Sequence, residues 1–151
     1  MSFAVTKRSI ASLALLMFVG WVSQAQAQFG VGSTWVRTDA GAKGLTMSVE
    51  ACCNGGLRLI YHVAAAAGQP PTTMTVDSPM DGKEVPVVVA GKPSGQTMAI
   101  TRVDDHHYTS VSKANGQLFG TSSATVSADG KSMTVESVTL GTKTTETWVR
   151  K

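Results

Sequence analysis

Thr97-Met98-Ala99-Ile100-Thr101-Arg102-Val103, Asp104-Asp105, His107-Tyr108-Thr109-Ser110-Val111-Ser112-Lys113, Asn115-Gly116, Leu118 to Ser127, Asp129-Gly130-Lys131 and Met133 to Val138 follow one another in the second half of a 151-residue chain. Runs rich in Thr, Val, Ile and Tyr are separated by Asx-Asx, Asn-Gly and Asp-Gly pairs, which tolerate the positive φ that tight hairpins need. The stretch reads as an antiparallel meander, and nothing in it has the period of a helix.

Outward from this meander the same grammar continues. Toward the N-terminus, strands are expected over Ser33 to Thr38, Leu45 to Ala51, Leu57 to Val63, Thr72 to Val76 and Val85 to Ala90; a last one runs from Thr144 to Arg150 after Gly141-Thr142. Leu45, Met47 and Val49 alternate with Thr46, Ser48 and Glu50, and Leu57, Leu59 and Tyr61 alternate with Arg58, Ile60 and His62, the period of half-buried strands. Ala64 to Pro71 is a loop, because Gly68 and two prolines stop the helix that its alanines favour. Turns are expected over Ser78 to Lys83, centred on Asp81-Gly82, and across Gly91 to Gly95, and Pro86 marks an edge or a bulge because it cannot donate to a ladder. Gln28 to Gly32 reads as a loose, Gly-containing lead-in.

Thr34-Trp35-Val36-Arg37 recurs as Thr147-Trp148-Val149-Arg150 in the last strand. No other period is present, so this is not a repeat protein. Either the first and last strands lie side by side and close the sheet, removing its edges, or two Thr/Val/Trp strands coincide in composition. The expected fold is all-β, an antiparallel up-and-down barrel of about eight to ten strands. On the strand from Leu118 to Ser127, Leu118, Gly120, Ser122, Ala124 and Val126 share one face of mostly small side chains. Turned inward that face leaves room for a cavity; turned outward it is an ordinary solvated face.

The chain starts with Lys7 and Arg8, continues with an apolar run from Ile10 to Val22 and reaches Ala25-Gln26-Ala27. A basic start, an apolar core too short to span a bilayer and a small-x-small site describe a secretory signal peptide over residues 1–27. One domain, residues 28–151, is expected to remain, with no stable membrane insertion. Lys7 and Arg8 leave with the signal, so 13 Lys and Arg become 11 against 10 acids, a formal +1. A nearly neutral domain without basic clusters has no electrostatic footprint for nucleic acid. Its aromatics, Phe29, Trp35, Tyr61, Tyr108, Phe119 and Trp148, are too few for a surface that recognises bases or sugars by stacking.

Asp81-Gly82-Lys83-Glu84-Val85-Pro86-Val87, then Arg102-Val103-Asp104-Asp105, then Val126-Ser127-Ala128-Asp129-Gly130-Lys131-Ser132-Met133-Thr134-Val135 resemble, in order and spacing, a family of small bacterial secreted domains with lipocalin-like barrels. The resemblance spans roughly residues 33 to 150, and Val126 to Val135 is its most specific part. It implies a periplasmic or secreted β-barrel and brings no catalytic residues. Lipocalins open with Gly-x-Trp and place an arginine of the last strand near that Trp. Here Gly32-Ser33-Thr34-Trp35 has one residue more, while Arg150 does sit on the last expected strand. The likeness is one of architecture, and it leaves a lipid or other small apolar ligand open.

Few residues have the makings of chemistry. Cys52 and Cys53 are candidates for a disulfide or redox pair. Adjacent Cα atoms lie about 3.8 Å apart, below the usual disulfide range, so a vicinal bridge would be strained and easily reduced. Free thiols, a disulfide-linked dimer through Cys52 or Cys53, and metal binding are the alternatives. His106 and His107 behind Asp104-Asp105, with His62, are weak metal candidates. Neighbouring histidines on a strand point to opposite faces, and a polar hairpin turn accounts for them better. Gly-x-Ser-x-Gly, Walker and His-Glu-x-x-His patterns are missing, so no catalytic residue, cofactor or metal is assigned. The leading expectation is a non-enzymatic, exported, lipocalin-like barrel binding a small apolar molecule. A solid barrel acting as a structural or protein-binding envelope module is the alternative, followed by a metal protein or enzyme.

Overall fold

A computed structural model describes residues 29–41, 44–65 and 67–151; the expected signal peptide lies outside them. Ten strands are present among the described residues: β1 (Thr34–Arg37), β2 (Leu45–Cys52), β3 (Gly56–Val63), β4 (Thr72–Ser78), β5 (Asp81–Val89), β6 (Lys92–Arg102), β7 (His107–Ala114), β8 (Gln117–Val126), β9 (Ser132–Thr139) and β10 (Thr142–Arg150). Each pairs antiparallel with its neighbours in sequence, and β1 pairs with β10, so the sheet closes into an up-and-down barrel. No helix among the described residues is long and apolar enough to cross a membrane.

The repeated tetrapeptide forms the seam. Trp35 stands opposite Arg150, Val36 opposite Val149 and Arg37 opposite Trp148. Closure therefore joins the two copies head to tail, and the first and last strands leave no free edge.

At one end of the barrel, Ala90-Gly91, Asn115-Gly116 and Leu140-Gly141 connect β5–β6, β7–β8 and β9–β10, each with positive φ at both residues. That is the conformation in which a two-residue hairpin matches strand twist. The same end carries the longer connections between β1 and β2 and between β3 and β4. The opposite end holds the Cys53-Asn54-Gly55 turn, Pro79-Met80, the Asp104-to-His106 turn and the Ala128-to-Lys131 turn.

Two expected turns moved. The reversal before β5 is Pro79-Met80, with Met80 at φ 62°, and Asp81-Gly82 already belongs to the strand. Gly82, also at positive φ, takes up a register shift between Asp81 and Glu84, so the flexible pair serves a bulge where a turn was expected. Likewise β6 starts at Lys92, and Pro93 and Gly95 lie within it. A second shift between Pro86 and Val88 lets both β5 and β6 keep a proline in the ladder.

Inward-facing side chains build the core: Trp35, Met47, Val49, Leu57, Leu59, Val76, Val87, Ile100, Tyr108, Val126, Met133 and Trp148 are buried. Outward positions are mostly polar, with ion pairs Arg58–Asp77 and Lys113–Glu84 lying across neighbouring strands, though Val111, Leu118, Val138 and Val149 are exposed there. An apolar inside and polar outside is the reverse of a bilayer-spanning barrel, whose apolar band faces lipid. The small face of β8 turns inward at Ser122 and Ala124. Leu118 leaves it: Phe119 is an extra residue opposite the Ser112–Lys113 step, which rotates Leu118 outward to 65% exposure.

Candidate functional site

The inward faces do not fill the barrel. A cavity of about 330 Å³ occupies its interior, at the lower end of the range for small-molecule sites, roughly 300–1,000 Å³. Ten strands enclose a wider space than the eight that side chains just fill, and the small residues of β7 to β9 leave part of it empty.

Its floor is made by a residue expected in a loose lead-in. Phe29 is buried, packed edge-on against Tyr108 with ring centroids 4.5 Å apart and 6.2 Å from Trp35. The segment is held by hydrogen bonds from Ser33 Oγ to the Phe29 carbonyl (2.7 Å) and from Gly32 N–H to the Val49 carbonyl (2.8 Å). The Trp35 indole N–H donates to Ser33 Oγ at 3.0 Å. Below, the Arg150 guanidinium lies 5.0 Å from the centre of the Trp35 ring, so the arginine of the last strand does meet the tryptophan of the first. Nothing in sequence marks Phe29 as a plug, because its ring packs on Trp35 and Tyr108, which lie on other elements of the chain.

The walls differ in chemistry. Met47, Met74, Met80, Met98 and Met133, which are all the methionines after residue 28, line the cavity. Unbranched and polarisable, Met adapts its shape to irregular guests. Leu45, Leu59, Tyr61, Ile100, Ala124 and Val135 complete the apolar surface. On the other side Ser110, Ser122 and Ser137, cross-strand neighbours on β7, β8 and β9, present hydroxyls, the first two hydrogen-bonded at 2.6 Å.

One carboxylate reaches this interior. Glu146 lines the cavity, accepts the Trp148 indole N–H at 3.1 Å and lies 3.1 Å from Arg37 Nη1. Arg37 gives its Nε and Nη2 donors to Asp39 at 2.7 and 2.8 Å. That pairing holds the Asp39 carboxyl well below its ordinary value, at about 2. Tyr61 packs edge-on to Trp148 at 6.2 Å. Enclosure by the barrel wall pushes its phenol up to about 12, with the charge of Glu146 adding to the shift, so Tyr61 is a neutral group.

The residues singled out from sequence lie elsewhere. Cys52 and Cys53 are joined to each other by a disulfide at the β2–β3 turn, at the floor end. A bridge between adjacent residues closes almost no loop, so its effect on chain entropy is small. His106 lies in the β6–β7 turn at that end and His107 opens β7: His106 Nδ1 is 3.1 Å from the Val126 carbonyl, and His107 Nδ1 is 2.8 Å from the Asp104 carboxylate. Asp104 Oδ1 also accepts the backbone N–H groups of both histidines, the arrangement of an Asx-type turn. His62 points outward near the other end of β3, 3.3 Å from Ser48 Oγ. The three rings do not converge, and no group of three His, Cys, Asp or Glu able to hold a metal exists among the described residues.

No protein-family model, curated protein or solved structure matches this chain. The cavity itself is therefore the source of any functional reading.

Proposed function

We propose that the chain is an exported, non-enzymatic carrier, a lipocalin-like barrel that takes a small, largely apolar molecule into its interior. The observation that carries this reading is the interior cavity, with every methionine of residues 28–151 turned into it. An adaptable apolar lining with a few placed polar groups is the usual composition of a small-molecule site. Export to the periplasm or beyond is supported by the basic start, apolar run and Ala-x-Ala site of residues 1–27.

The neutral dye N-phenylnaphthylamine, which fluoresces on entering apolar surroundings, tests it. The mature chain is expected to take up the dye saturably. Ser122→Leu, which fills the cavity from its small-residue wall, should weaken uptake about tenfold or more while the chain stays folded. A folded wild-type barrel that leaves the dye dark would sink the reading.

A second reading, a protein-binding envelope module, is favoured by exposed apolar side chains on the outside of β7 to β10: Val111 and Val138, both beside Thr121, with Leu118 and Leu140 at the rim. In that case Leu118→Ser with Leu140→Ser would abolish partner capture and leave dye uptake unchanged. A disulfide-linked dimer through Cys52 or Cys53 belongs to this reading and would first require the bridge within the chain to open.

A further inference from the structure

We infer that the cavity selects a cationic amphiphile, a protonated amine on an apolar body, with Glu146 as the counter-ion and Tyr61 and Trp148 as the aromatic walls around the ammonium. The inference rests on the ligand-binding reading above and names the class of ligand.

Charge bookkeeping at the mouth points this way. Glu146 is the only Asp, Glu, Lys or Arg among the described residues lining the cavity. Among the described residues its one ion-pair partner, Arg37, is shared: two donors go to Asp39 and a third to Glu146. One guanidinium against two carboxylates leaves the cluster one negative charge in excess. A fatty acid would thus bring its carboxylate toward a like charge, inside a wall of low polarisability where such repulsion is strong. No Lys or Arg among the described residues lines the cavity to receive it.

An ammonium meets the opposite situation. Glu146 is oriented by the Trp148 indole N–H, which fixes the carboxylate beside that ring, and the Tyr61 ring stands across it at 6.2 Å. Aromatic faces attract cations, most strongly where water is excluded. Ser137 lies on β9 beside Val135, the residue opposite Glu146, and with Ser122 offers hydroxyl oxygens as further acceptors for N–H groups. The methionine wall then holds the chain of the guest.

Displacement of N-phenylnaphthylamine by nonylamine, nonanol and nonanoate, all below their micellar concentrations at neutral pH, decides it. The amine is expected to displace about tenfold better than the alcohol, the carboxylate worse than both. Glu146→Gln should bring amine and alcohol to within about twofold of each other; Glu146→Asp, keeping the charge, should retain the preference. A carboxylate that competes as well as the amine, or an amine preference that survives Glu146→Gln, overturns the inference while dye uptake keeps the carrier reading intact. If the wild-type chain takes up no dye, both fall together. Should Glu146→Gln fail to fold, the order of the three ligands on the wild-type chain decides alone.

Discussion

Arg37 and Arg150 occupy equivalent places in two copies of one tetrapeptide, each opposite the other copy's tryptophan, yet they do different work. Arg150 covers the Trp35 ring because Gly30 makes room: a Cβ there would overlap its guanidinium. Arg37 is instead drawn to Asp39 and Glu146. Arg150→Ala removes the cation–π contact and the packing of the arginine stem, and should lower stability by about 1–3 kcal/mol, seen as a lower urea midpoint at unchanged slope. Asp39 supplies a pH signature. Its carboxyl falls from 3.8 to about 2 in the fold, so the stabilisation is complete above its unfolded value and is lost as pH falls through about 2. Asp77, Asp81, Glu84, Asp104 and Asp129 are shifted the same way by their partners. Melting temperatures are expected to drop steadily from about pH 4 to pH 2, and Asp39→Asn should make that limb shallower. An unchanged acid limb would mean that the Arg37 pairing contributes nothing to folding.

Among the elements, β8 and the floor-end turns show how far local pattern reaches. All ten strands were legible because alternation and turn residues are local signals. Boundaries failed at Asp81-Gly82 and at Pro93 to Gly95, where glycine and proline serve bulges within strands instead of turns between them. A glycine permits positive φ in either setting, and only the partner strand decides which is used. Gly56 has a different purpose. A Cβ there would overlap the Ser78 carbonyl oxygen at the start of the Pro79-Met80 turn, where buried Ser78 Oγ accepts the Met80 N–H at 3.1 Å. Gly56→Ala must push β3 from β4 at that end, at a cost of about 2–4 kcal/mol. Chemical denaturation should show this loss, whereas Gly116→Ala, where nothing lies near the added methyl, should cost only about 1–2 kcal/mol of backbone strain.

At the scale of the whole molecule, closure creates an interior that answers as one unit. The Tyr61 phenol, held up to about 12 by that enclosure, ionises less readily in the fold than in the unfolded chain. Its contribution is therefore full below the ordinary tyrosine value near 10 and is lost as pH rises through about 12. In a Tyr108→Phe chain, an absorbance titration is expected to show a tyrosinate that appears only near pH 12 and together with loss of the barrel's circular dichroism; ionisation near 10 in a folded chain would show that water already reaches Tyr61. The amino-acid sequence determined the ten strands and most of the hairpin turns, because each depends on residues close in sequence; Thr34-Trp35-Val36-Arg37 and its copy left the seam open between closure and coincidence, and the pairing of β1 with β10 decided it. The sequence also marked Ser122 and Ala124 as sharing one face of β8. Alternation separates two faces without saying which one is inside, so only the tertiary structure decided that this face looks into a cavity, that a bulge expels Leu118 from it, that Phe29 closes the floor, and that Glu146 brings a carboxylate to the interior. Those features depend on the circumference of a ten-stranded barrel and on contacts between strands, such as Phe29 with Tyr108 and Arg37 with Glu146, which no local pattern encodes.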